Sequence, residues 1–222
     1  MGVQVSGDEV VAKTAEYVKR SLLDGEGSHD WWHVERVWKN ALRIGQEEGA
    51  NLYLVQLAAL LHDIADYKFN DGNDKIGPQL AREWLTGQGV EAEVIERVCR
   101  IIEEVTFKGA ATQVSPPSSL ESMVVQDADR LDAIGALGIA RAFAYGGYKG
   151  RPLHDPLTPP RTHTSFEAYK SSKSATINHF YEKLLFLRER MNTPTAKRIA
   201  EGRHAYMEEY LQRFFREWNG ED

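Results

Sequence analysis

The sequence predicts an all-α fold, and three observations carry that expectation. Apolar residues recur at helical spacing along nearly the whole chain. Ser/Thr-x-x-Glu boxes and other N-cap residues stand in front of those runs. No alternating, β-branched segment competes with them as a strand.

The elements follow in order. Ser6 and Glu9 make a capping box, after which Val10, Val11, Thr14, Tyr17, Val18 and Leu22 fall on one stripe. "DGEGS" ends that helix, and Ser28 is the expected cap of a second one reaching Gly49. Asn51 opens a third helix, apolar on most sides and therefore central, which is expected to continue through His62 and Asp63 toward Asp66. After the polar turn "NDGNDKIG", two helices are expected near Pro78–Thr86 and Glu91–Phe107. Ser118 pairs with Glu121 as a second box before "ESMVVQDADRLDAI", with an interruption near Gly135 and Gly138. Thr164 and Glu167 form a third box, ahead of a long helix to about Met191. Thr193 and Pro194 start the last helix. On it Ile199, Ala200, Arg203, Met207, Tyr210, Leu211, Phe214 and Trp218 share a face that reads as core. The one long irregular stretch, 146–164, is either a proline-stiffened excursion or a lid over a cleft.

No repeat or linker divides the sequence, so a single domain over 1–222 is expected. With 42% hydrophobic and 27% charged residues, the composition is that of an ordinary globular chain. A net charge of −6 argues against a general binder of nucleic-acid polymers or membrane surfaces, while leaving room for an anionic small substrate beside a metal. Cys99, the single cysteine, sits in "EVIERVCRII" and reads as a small buried thiol. The N-terminus lacks the pattern of a signal peptide, and no apolar run approaches the roughly 18 to 20 residues that span a bilayer; a cytoplasmic protein is expected.

Against that apolar background, "LAALLHDIADYKF" (57–69) places His62 and Asp63 at the end of a five-residue apolar run. Burying an imidazole and a carboxylate there is costly unless something pairs with both. A metal ion would satisfy both, and other segments supply further ligand types. "SHDWWHVERVW" offers His29 and His33, four apart, and "VVQDADRLDAIG" offers Asp127, Asp129 and Asp132.

In the order His … His-Asp … Asp on helices, the sequence resembles the HD-domain metal-dependent phosphohydrolase superfamily. It is most similar to the small stand-alone bacterial branch, through "HDWWHVERV", "LLHDIADYKF", "DADRLDAIG" and "NHFYEKLLFL". The resemblance implies His33, His62, Asp63 and Asp129 as metal ligands, with Asp127 the alternative to Asp129. Asp127 and Asp132 otherwise bond ligands or neighbouring helices. It also implies a metal-binding core over about 28–135, with helices over about 164–218 completing the cleft.

Two nitrogens and two oxygens suit one divalent ion per chain, manganese first, with iron, cobalt, nickel, zinc or magnesium as alternatives. Two-metal relatives carry histidines between the doublet and the last aspartate, and none of the seven histidines here lies between 63 and 129. The expected reaction is hydrolysis of a phosphate ester or anhydride of a small molecule, a nucleotide first, with a nucleoside triphosphate and a monophosphate both open, by a metal-activated water. Asp66, spaced to share a face with the doublet, is the expected base or water-orienting group. Arg36, Lys68, Arg130 and Arg141 are the cations expected to offset phosphate charge, with Arg36 alternatively holding a ligand carboxylate. Lys183 and Arg203 join them through the resemblance alone. A homodimer is compatible with this reading. Two competing readings are a ligand-sensing module without turnover and an iron oxygenase on the same fold.

Overall fold

A computed structural model describes residues 6–22, 30–65, 75–105, 116–161 and 174–221. Among the described residues there are helices and turns and no strand, as expected. Contacts gather the chain into two compact units. The first comprises Met1–Phe107 with Ser115–Asp129, the second Lys108–Val114 with Arg130–Asp222.

In the first unit, α1 (Gly7–Leu22) is capped by Ser6, whose hydroxyl accepts from the Glu9 N–H at 3.3 Å. It buries Val10, Val11, Thr14 and Val18. Helix α2 (Trp31–Glu48) ends at Gly49, whose φ of 74° is the left-handed backbone a helix stop favours. Its cap is Asp30, two residues later than the expected Ser28, because the Asp30 carboxylate faces the His33 N–H at 2.9 Å.

Helix α3 (Leu52–Leu61) begins where expected, with the Asn51 side chain accepting from the N–H groups of Tyr53 and Leu54. It packs against α1, α2 and α5, and Leu57 through Leu61 are fully buried. It stops sooner than expected: His62 is the cap, and residues 62–65 form a turn closed by the Ile64 N–H on the Leu61 carbonyl at 3.2 Å. Helices α4 (Ile76–Gly87) and α5 (Ala92–Val105) pair beside α3. Cys99 is buried there and its thiol donates to the Pro78 carbonyl at 3.3 Å. Burial pushes its pKa up, the condition of an inert thiol.

Helix α6 (Leu120–Asp132) crosses the boundary of the two units in sequence. Its cap is Ser119, whose hydroxyl accepts from the Ser122 N–H at 3.1 Å, and not the expected Ser118–Glu121 box. Glu121 is drawn elsewhere. It is buried and accepts from the Asn51 N–H at 3.1 Å and from Arg97 at 3.3 Å, tying the starts of α3 and α6 to α5.

The second unit begins with the break after Asp132. Helix α7 (Gly135–Tyr148) restarts at Gly135, so the irregular stretch opens at 149 and not at 146. Helix α8 (Thr176–Glu182) is short. At Lys183 the backbone leaves the helical region (φ −145°, ψ −57°), and two 3₁₀ turns, Leu184–Phe186 and Arg188–Arg190, replace the expected long helix. Ile177, Phe180, Leu184, Leu187 and Met191 are nevertheless all buried. Their spacing of three and four fits a helix, while a turn of three residues also keeps Leu184 and Leu187 on one side. The apolar pattern therefore does not distinguish the two. The expected Thr164–Glu167 box lies outside the described residues.

Helix α9 (Pro194–Trp218) starts with the expected Thr193 cap, which accepts from the Ala196 N–H at 3.3 Å. Ala200, Met207 and Leu211 are buried on it. Phe143, Phe180, Tyr210 and Phe214 pack ring to ring at 6.1 to 6.4 Å, so the aromatic stripe is core only in part: Tyr210 and Phe214 are half-buried and Trp218, expected on the same face, is 48% exposed. No helix among the described residues is long and apolar enough to cross a membrane.

Candidate metal centre

The end of α3 builds the first corner of the site. The His62 ring turns back and places Nδ1 2.8 Å from the Ala59 carbonyl, which has no proton to give. The proton of that bond therefore sits on Nδ1, and in the neutral ring Nε2 carries a bare lone pair. Nε2 is itself buried and makes no hydrogen bond. The bond also consumes one of the carbonyls a helix end leaves over.

His33 is held by the opposite kind of helix end. It lies in the first turn of α2, its N–H bonded to the Asp30 cap, and it is 1% exposed. Its ring meets that of His62 edge-on, with centroids 5.5 Å apart. Asp63 Oδ2 lies 3.3 Å from His33 Nε2 and 3.5 Å from His62 Nε2. Asp129 Oδ1, from α6, lies 3.5 Å from His33 Nε2. One ligand atom each from His33, His62 and Asp129 falls within 4.8 Å of the others.

These separations are what one small divalent ion requires. Ligand atoms about 2.1 Å from a common ion lie about 3.0 to 3.4 Å apart when adjacent and about 4.2 Å apart when opposite. The donor set of two imidazoles and two carboxylates suits first-row metals, and the bare, buried Nε2 of His62 asks for one. His33, His62, Asp63 and Asp129 thus fit a divalent ion.

The remaining expected site residues fall in different places. Asp127 precedes Asp129 by two positions, about 200° around α6, and is fully buried outside the cluster. Arg36 is half-buried, one turn along α2 from His33. Trp31 is buried and Trp32 is 58% exposed. Asp66, Lys68 and His29 lie outside the described residues.

In the second unit, Arg141 pairs with the fully buried Asp132 and also donates to its carbonyl at 3.2 Å. Arg130 donates to the Arg190 carbonyl, and Arg203 to the Leu131 carbonyl. Arg141 and Arg203 hold the end of α6, and Arg130 holds the end of the 3₁₀ turn Arg188–Arg190. Lys183 occupies the cap position of α8.

Sequence reasoning missed Asp30 and the Ala59 carbonyl. Asp30 had a readable signal, an aspartate three residues ahead of His33 at N-cap spacing. The carbonyl had none, since every residue carries one. Replacing Asp30 with alanine is expected to cost about 1 kcal/mol of stability and to weaken metal retention, because His33 sits on the turn that Asp30 holds. A denaturant midpoint and a metal titration, measured side by side, check both effects.

Comparisons with known proteins place the chain in a family. The HD-domain family model matches residues 31–134, a span containing all four clustered residues. The Bacillus subtilis protein YpgQ is 37% identical over 206 residues, covering 93% of this chain and 92% of YpgQ. The crystal structure of an HD-superfamily hydrolase from Bacillus thuringiensis is similar with a TM-score of 0.77 at 41% identity, covering 96% of this chain and 99% of that one. The structure of B. subtilis YpgQ in complex with ADP is similar with a TM-score of 0.77 at 34% identity, covering 96% of this chain and 97% of that one.

Proposed function

The chain belongs to the HD superfamily of hydrolases, and on that premise we propose that it cleaves a phosphate ester or anhydride of a nucleotide at a single divalent ion. The observation that carries the reading is the cluster of His33, His62 and Asp129, ligand atoms within 4.8 Å of one another, with an Asp63 oxygen beside both imidazoles and the buried His62 Nε2 without a hydrogen bond. ADP in the related YpgQ structure supports a nucleotide as the substrate class. The absence of any histidine between 63 and 129 supports one ion over two.

A bound ion supplies Lewis acidity toward a phosphoryl oxygen and toward water. The chain supplies the rest. His33 and His62 would present ring nitrogens from helix ends, and Asp63 and Asp129 would bring the negative charge that holds a dication. Asp66 is proposed to orient the attacking water and take its proton. Arg36 and Lys68 are proposed to offset the charge of the transferred phosphoryl group. In the second unit the proposed phosphate contact is Lys183. Arg130, Arg141 and Arg203 are engaged as described, and a phosphate contact from any of them would share its guanidinium with those bonds. Manganese is the proposed ion.

The test is turnover of a panel of nucleotides and sugar phosphates with Mn²⁺, following phosphate and pyrophosphate release by wild type and Asp63→Ala. Metal-dependent release from a nucleotide, reduced on the order of 100-fold or more in the variant, is expected. Full activity in a folded Asp63→Ala protein removes the proposal. Nucleotide-induced thermal stabilisation without turnover under any divalent metal would instead make the protein a sensor.

A further inference from the structure

The four tryptophans of the first unit divide three to one. Trp31 is buried, with the Lys19 ammonium 5.9 Å from its ring centroid. Trp38 is half-buried and its indole N–H donates to Gln56 at 3.2 Å. Trp84 is half-buried as well, stacked on Tyr17 at 4.0 Å with its N–H on the Thr14 hydroxyl at 2.9 Å. Trp32 differs from all of them. It is 58% exposed and has no ring, cation or hydrogen-bond partner among the described residues.

Its place on α2 ties it to the metal centre. Trp32 directly precedes His33, so their Cα atoms are about 3.8 Å apart. To one side of His33 around the helix lie Val34, Val37 and Ala41, all buried. To the other side lie Arg36 and then Trp32, within one sector of about 100° measured from His33. Trp32 and Arg36, four apart, are neighbours on the helix surface. Burial falls away steadily across that sector: His33 is 1% exposed, Arg36 is half-buried and Trp32 stands in solvent. The sector therefore leads from a buried imidazole outward, with a cation on the way and a flat ring at its rim.

That order matches the order of parts in a nucleotide. The phosphate chain carries the charge that a metal centre and an arginine attract. The base is an uncharged ring at the far end, and it gains most from an aromatic face. An indole offers the largest such face among side chains, and stacking removes water from both partners.

We propose that Trp32 is the seat of the nucleobase, stacking on it while the phosphate chain reaches the metal centre. The proposal rests on the nucleotide reading and extends it to the part of the substrate that separates a nucleotide from other phosphates.

Calorimetric titration of the Mn²⁺-loaded full chain tests it, with two probes. One is a non-hydrolysable purine nucleoside triphosphate; the other is methylenediphosphonate, which has the charge and no base. Trp32→Ala, checked by circular dichroism, is expected to bind the nucleotide about tenfold or more weakly. Its affinities for methylenediphosphonate and for Mn²⁺ are expected to stay at the wild-type values, and Trp32→Phe is expected to recover most of the nucleotide affinity. The proposal is overturned by unchanged nucleotide affinity in Trp32→Ala, by equal losses for both probes, or by a phenylalanine variant no better than the alanine one. A fall in Mn²⁺ affinity would overturn it too, since Trp32 would then be a support for His33. Base-dependent loss of binding without turnover of any nucleotide would sink the hydrolase reading and leave Trp32 as the seat of the base. Nucleotide turnover by Trp32→Ala with wild-type kcat and KM would do the reverse.

Discussion

Replacing His62 with alanine is expected to abolish both metal retention and turnover. The ring supplies one of the two nitrogens of the proposed site, and no other histidine among the described residues joins His33 and His62 in the cluster. Loss of a partner that merely orients a ligand lowers metal affinity by about 10 to 100-fold. Loss of a ligand itself should exceed that. The variant pays a second cost as well, because the buried Ala59 carbonyl loses its donor, worth about 1 to 3 kcal/mol. Asp63→Ala separates the two effects, since it removes a carboxylate from the cluster and leaves the His62 ring to hold the Ala59 carbonyl. Added Mn²⁺ at about 100 times its dissociation constant should stabilise wild type by about 2.7 kcal/mol, and neither variant at all. Metal content after dialysis and the Mn²⁺-induced shift in Tm read this directly. A His62→Ala protein that keeps one ion per chain would refute the ligand assignment.

The second large effect concerns packing in the other unit. A Cβ on Gly138, in the first turn of α7, would overlap the backbone carbonyl of Ala133. No rotamer change relieves a clash with backbone, so Gly138→Ala is expected to cost about 3 kcal/mol and to lower Tm by about 6 to 12 °C. Gly147, on the same helix, has nothing within 4 Å of its would-be Cβ. There the change to alanine should stabilise, by up to about 1 kcal/mol, because glycine is the poorer helix former. Thermal melts of the two variants should move in opposite directions. Equal shifts would mean that close approach is not what position 138 requires.

The helices were legible wherever a cap and an apolar stripe agreed. Ser6, Asn51 and Thr193 all cap as their spacing suggests, each side-chain oxygen accepting from an N–H of the helix it opens. Glu121 broke the rule. A buried carboxylate can be claimed by a distant partner, and Asn51 and Arg97 claim it. The end of α3 was misjudged for a related reason: the apolar run sets where a helix is buried, while a side chain reaching back to a carbonyl sets where it stops. The break at Lys183 left no trace in the pattern, since a 3₁₀ turn and an α-turn bury the same leucines.

The residues around the metal centre were legible because their types are rare on apolar helices. His33, His62, Asp63 and Asp129 stood out against Leu, Val and Ile; the fold brings ligand atoms of His33, His62 and Asp129 within 4.8 Å of one another and sets an Asp63 oxygen beside both imidazoles. The cations were harder to read. An arginine is equally at home on a phosphate, a carbonyl or a buried aspartate, and Arg130, Arg141 and Arg203 each hold one of the latter two.

The bond between His62 and the Ala59 carbonyl has a consequence for how this protein can change over generations. Many ligand histidines take their protonation pattern from a neighbouring carboxylate, which one codon change can delete. Here the partner is peptide backbone, present whatever residue stands at 59. No single substitution elsewhere removes it, short of one that moves the chain. The electronic state of the ligand is thus inherited with the path of the chain, and it should outlast drift in almost every side chain around it.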